Sequence, residues 1–212
     1  MNVLIQKLHP GLRLGQRLTL ADSGAPLFSR QGDWAGGSTL HCTAMALALL
    51  GNLSNPVQVW RHEDGPEATF WDRAWPQYLH GQTLSELASF VWELNIGVRP
   101  VTAEGRPAAV LRFCVRELAR GWPVVVGWRS QHPQPAHAAL GVGVEGRRRA
   151  QGFSPHALLL LDPAEAEPGL AASNARLEFA KPGSRPVYVT AGGRCPIAIE
   201  GAISIRRSGG AT

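Results

Sequence analysis

A chain of 212 residues with 44% apolar side chains can bury a core without metals or disulfides, and its three widely spaced cysteines form neither a disulfide framework nor a Cys-x-x-Cys zinc site. The formal charge of +5 permits acidic partners, but the basic residues line no single helix face and are not interleaved with aromatic ones, so no nucleic acid is expected. No apolar run reaches the length of a membrane-spanning helix, and Pro10, glycines and charges interrupt "MNVLIQKLHPGLRLGQRLTL" too often for a secretory signal core, so the reading is a soluble chain, cytoplasmic or secreted by a route without a classical signal peptide.

Residues 1–30 read as an irregular or strand-containing lead-in segment that either covers a cleft or adds a strand to a sheet. From about Thr39 to Leu50, "LHCTAMALALL" predicts a helix, with Ser38 or Thr39 to cap it and Gly51 to end it. It is apolar nearly all round, which places it at the centre of the molecule. "NPVQVWRHEDGPEATFWDRAWPQYLHG" has no clean period and reads as a surface excursion. "TLSELASFVWELN" is a second helix, opened by Thr83 and Glu86 at capping-box spacing and stopped near Gly97. A short strand, "VRPVTAE", leads to a third helix, "RPAAVLRFCVRELARG", with Pro107 in its first turn and Gly121 at its end.

Beyond Gly121 the period changes. "PVVVGW", "HAALGVGVEG", "HALLLLD", "RPVYVT" and "CPIAIEGAISI" are strand candidates with turn residues between them, and "GRRRAQG" at 146–152 reads as a solvated hairpin loop. Helices followed by a run of strands predict an α+β domain with a largely antiparallel sheet, one domain over 1–212, with 206–212 as a flexible tail.

Chemistry is suggested at Cys42, placed where the first helix begins. A helix N-terminus and an adjacent imidazolium both favour a thiolate. The helix alone contributes under about 1 kcal/mol at an exposed site, less than one pKa unit, so a histidine would have to supply most of the shift. His137 opens one strand and Asp162 ends the next, so two antiparallel strands can bring an imidazole and an orienting carboxylate together. His132 and His156 are rivals for the base. His156 stands at the opposite end of the strand that carries Asp162, roughly 20 Å away if extended. His41 points to another face of the helix, Cys114 reads as core, and Cys195 reads as a structural residue in a late turn. Trp60, Trp71 and Trp75 read equally as a subsite wall or as loop anchors. Glu63, Asp64 and Asp72 lack the spacing of metal ligands, and no cofactor is expected.

A glutamine, a cysteine opening a buried helix, "GWPVVVGW" leading to "HAALGVG", and "LLLLDP" together resemble the papain-like cysteine peptidases over roughly residues 31–163. Among these the chain is most similar to the bacterial double-glycine leader peptidases. The resemblance implies a papain-like fold, with the Cys42 helix heading a helical part packed on the sheet. It implies Cys42 as nucleophile, His137 as general base and then acid, and Asp162 as the residue that orients the ring. It also implies Gln31 as oxyanion donor together with the Cys42 backbone N–H. Gln31 precedes Cys42 by a longer stretch than the family's pattern has, and His41 replaces a small residue, so a backbone N–H of Gly37 or Ser38 is an alternative donor. The expected function is hydrolysis of a peptide or isopeptide bond in a peptide or protein substrate through an acyl-enzyme. Acyl transfer, transglutamination, deamidation and a non-catalytic binding module are the alternatives.

Overall fold

The computed structural model describes residues 3–32, 37–78, 80–130, 136–149, 152–179 and 184–209. The lead-in joins the body of the protein. Its first strand, β1 (Val3–Leu8), pairs antiparallel with residues 143–148, and β2 (Leu12–Arg13) pairs with β3 (Thr19–Leu20). Leu18, Leu27 and Phe28 are buried in the core, so this segment adds a strand rather than lying loosely over the surface.

Helix α1 (Ser38–Leu49) forms where expected, from Ala, Leu and Met, and every residue in it except His41 is buried. It stops at Gly51, whose φ of 74° suits glycine, and the Asn52 N–H reaches back to the Leu47 carbonyl at 2.9 Å. The unpatterned excursion holds a helix that the period does not announce, α2 (Gly65–Ala74), flanked by 3-10 turns at Val59–Arg61 and Trp75–Gln77. Only Glu67, Phe70 and Ala74 of α2 are buried, too few apolar anchors to leave a readable stripe. Next come α3 (Leu84–Glu93), with the reciprocal Thr83–Glu86 capping box in place, then β4 (Val98–Glu104) and α4 (Pro107–Ala119).

The remaining strands are β5 (Val124–Ser130), β6 (His137–Arg149), β7 (Gly152–Leu161), β8 (Ala175–Glu178), β9 (Val187–Thr190) and β10 (Gly193–Arg207). Each pairs antiparallel with its neighbour, and the ring β5–β6–β7–β8–β9–β10 closes on itself, with β1 attached to β6 and β4 to β10. This overturns the α+β papain-like expectation of a helical part packed on an antiparallel sheet. The protein is mostly β, a closed six-stranded antiparallel barrel, with only 27% helix. Two long strands cause the difference. The first part of β10 pairs with β9 and its later part with β5 and β4, with a register shift between Ile199 and Gly201 that bends it. Likewise β6 pairs with β5 at its start, with β7 along its length and with β1 towards its end.

Strand alternation separates two cores. Val124, Val126 and Trp128 of β5 join α4 and residues of β6, β7, β8 and β10 in one cluster, whereas Val125 joins α1, α3 and the lead-in in the other. Gly127 and Gly201 are register partners, and their missing side chains leave a notch for Leu84 of α3. Arg147, Arg148 and Arg149 lie in β6 and not in a loop, although Arg147 and Arg148 are exposed as expected; 150 and 151 lie outside the described residues. Arg206 and Arg207, read as the start of a flexible tail, belong to β10, and Arg207 donates to the Leu50 carbonyl at 2.6 Å. Among the described residues no helix is long and apolar enough to cross a membrane.

Candidate active site

The start of β6 and the end of β7 lie side by side, because the two strands form one antiparallel hairpin with Leu140 opposite Leu161. Asp162 follows β7 directly, and Pro163 stops the ladder there because it has no N–H to donate. The carboxylate is completely buried and held from several directions. Oδ2 accepts from His137 Nε2 at 2.7 Å and from the Tyr188 hydroxyl, and Oδ1 accepts from the Ala164 N–H at 2.9 Å. Asn174 fixes its backbone, accepting from the Asp162 N–H at 2.7 Å and donating to the Asp162 carbonyl at 2.9 Å.

His137 is partly exposed and stands opposite Trp128 in the β5–β6 register. Their rings pack edge to face at 5.0 Å. With Nε2 committed to Asp162, Nδ1 is the ring nitrogen without a hydrogen-bond partner among the described residues. Ala138, the next residue, faces the opposite way, into the core that contains α1. Its carbonyl accepts from the Cys42 thiol at 3.7 Å.

Cys42 is the fifth residue of α1, not the first. By the helical pattern its N–H faces the Ser38 carbonyl, and among the described residues the amides of Ser38 and Thr39 are the first-turn donors with no backbone acceptor. The side chain is fully buried. Burial pushes its pKa well above the ordinary thiol value, and the negative charge of Asp162 pushes it further in the same direction. Both effects disfavour a thiolate, opposite in direction to the helix N-terminus and imidazolium invoked from the sequence.

Gln31 is tied to the residue after Asp162, its N–H donating to the Pro163 carbonyl at 3.0 Å. Its side-chain Oε1 is buried and has no partner among the described residues. His156 bonds Glu145 at 3.2 Å, away from Asp162 as the strand length required, and His132 lies outside the described residues. Cys114 is core in α4, its thiol pushed up to about 12 by burial. Cys195 is half-buried on β10 opposite Tyr188, in a strand and not in a turn.

His41 bonds Ser29 Oγ through Nδ1 and the Tyr78 hydroxyl through Nε2, both at 2.8 Å, and burial lowers its pKa to about 4. These three residues line a cavity of about 710 Å³ with Phe28, Trp60 and Trp71. Leu40 and Ala44 also line it, and both lie about 160° around α1 from Cys42, so this cavity is on the far side of the helix from the thiol. Ser38 and Thr39, within about 60° of Cys42, line a different cavity of about 800 Å³ with Leu84, Arg129, Ala136 and Glu200.

Tyr188, Trp128 and Asn174 escaped the sequence reading. The register of the β5–β6 pair could have nominated Trp128, the last residue of the strand candidate "PVVVGW" and the partner of His137. Nothing local marks Tyr188, which reaches Asp162 only because the barrel closes through β9. No protein-family model matches the chain, and no curated protein matches it either.

Proposed function

We propose that this protein hydrolyses a peptide or isopeptide bond through a thioester on Cys42, with His137 as the group that carries the proton. The observation behind this reading is the commitment of His137 Nε2 to buried Asp162 beside the carbonyl that holds the Cys42 thiol. In this scheme Nδ1 takes the thiol proton as sulfur attacks the carbonyl carbon, then delivers it to the leaving amine. Asp162 compensates the imidazolium. Because burial disfavours the thiolate, the proton moves as substrate arrives in this scheme and no standing ion pair is required. The cavity beside Ser38, Thr39 and Ala136 is the approach that fits a substrate chain. The first-turn amides of Ser38 and Thr39, with the side chain of Gln31, are the donors this reading assigns to the oxyanion. The four ordered motifs that resemble papain-like cysteine peptidases support the chemistry, and acyl transfer, transglutamination or deamidation would use the same thioester.

A second reading, a binding module without turnover, is favoured by the complete burial of Cys42 and its raised pKa. Iodoacetamide alkylation followed by mass spectrometry separates the two. Under the catalytic reading Cys42 alkylates faster than Cys114, which is equally buried, and His137→Ala slows Cys42 alone. A peptide library then shows cleavages that vanish in Cys42→Ala. Equal, slow alkylation of both thiols, unchanged by His137→Ala, would remove the catalytic reading and leave the binding module.

A further inference from the structure

His137 does not hold its carboxylate alone. The Tyr188 hydroxyl donates to Asp162 Oδ2, the same oxygen that accepts from His137 Nε2. Tyr188 comes from β9, which neighbours neither β6 nor the end of β7 in the sheet order. Trp128 lies against both partners, 5.0 Å from the His137 ring and 4.9 Å from that of Tyr188. Burial and the neighbouring Asp162 charge raise the phenol's pKa, so it remains a donor throughout the working range.

We propose that Tyr188 is a positioning residue, whose hydroxyl shares the Asp162 oxygen used by His137 and so limits how strongly the carboxylate holds the protonated ring. Its catalytic meaning rests on the Cys42–His137–Asp162 reading above. One carboxylate oxygen, Asp162 Oδ2, serves two donors. A phenol bonded to a carboxylate disperses its charge, and a bond to a charged group is among the stronger ones. Without the phenol, Asp162 keeps the same charge with one fewer donor and stabilises the imidazolium more. A proton on His137 then becomes harder to remove. Glu165, from the turn after β7, and Cys42 of α1 also act on Tyr188, and Asp162 acts on Cys42.

The test is an NMR pH titration of the His137 imidazole, assigned by its absence in His137→Ala, in four proteins: parent, Tyr188→Phe, Asp162→Asn and the double variant. Tyr188→Phe should raise the His137 midpoint by on the order of one pH unit, a tenfold change. The same substitution should leave the midpoint nearly unmoved when Asp162→Asn is already present. The acid limb of Cys42 alkylation should move with the midpoint in the Phe variant. An unchanged midpoint in Tyr188→Phe, or an equal shift with and without Asp162, would overturn the proposal. Should Tyr188→Phe not fold, 3-fluorotyrosine replaces both tyrosines of the chain without changing the fold's shape. As a stronger donor it should move the midpoint down, and no downward shift would count against the proposal. If His137→Ala leaves Cys42 alkylation untouched while Tyr188 still shifts the imidazole, the catalytic reading fails and the coupling stands.

Discussion

Two histidines with opposite fates stand close in space to α1 and its neighbours. His137 keeps an exposed edge and a carboxylate partner, whereas His41, half-buried, is held between the neutral hydroxyls of Ser29 and Tyr78. Burial without a negative partner lowers the His41 pKa from 6.5 to about 4. The unfolded chain therefore takes up a proton at this position near pH 6.5, and the folded protein does so only near 4. Stability contributed by neutral His41 is complete above pH 6.5, falls as pH drops through this window, and levels off below 4. The 2.5-unit gap corresponds to about 3 kcal/mol at most. His9, buried with Nε2 bonded to the Gly121 carbonyl, has a lowered pKa and adds a loss of the same sign. Urea denaturation between pH 7 and 4 should thus show a flatter decline for His41→Gln than for the parent. Parallel declines would mean that His41 is not held neutral.

Elements were legible to the extent that their own residues carry the pattern. The α1 run, the Thr83–Glu86 box and the Pro107 start were readable because helix period and caps act within one or two turns. The start of α1 was legible to about one residue: the helix begins at Ser38, after a Gly37 cap that contributes no side chain, and Cys42 lies a full turn inside it. The strands hid their partners more than their existence. Gly143 of β6 pairs with Leu8 on one side and Leu159 on the other, and a Cβ there would come within 2.8 Å of the Lys7 carbonyl and 2.9 Å of Leu8 Cδ2. Gly143→Ala should cost about 1–3 kcal/mol as an overpacking change and act first on β1. Hydrogen exchange should accelerate at Val3–Leu8 more than at β7. Uniform protection across both strands would show that β6 absorbs the extra methyl group.

At the scale of the molecule, a buried charge ties the α4 side to the long closing strand. Glu117 of α4 is fully buried and accepts from Arg206 Nη2 at 2.6 Å, from Arg206 Nε at 2.8 Å and from Ser204 Oγ at 3.0 Å, both residues lying in β10. Arg116 adds a bond at 3.1 Å from the same helix. Removing a buried partner leaves its counter-charge uncompensated, so Glu117→Ala should lower stability by about 3–5 kcal/mol in equilibrium denaturation. A loss below about 1 kcal/mol would mean that the arginines rehydrate freely and the link is weak.

Composition, helix period, capping residues and the order Cys42, His137, Asp162 are properties of the sequence itself, since each depends on residues close along the chain or on their type. The neighbours of His137 and Asp162 on one hairpin were within reach for the same reason. Closure of the barrel, the arrival of Tyr188 and Trp128 at the carboxylate, and the direction in which the Cys42 thiol's pKa moves were decided by the tertiary structure alone. Each of these depends on which distant surfaces meet: β10 reaches β9, β5 and β4 across long stretches of chain, and a thiol's pKa follows from what covers it, not from the helix that carries it.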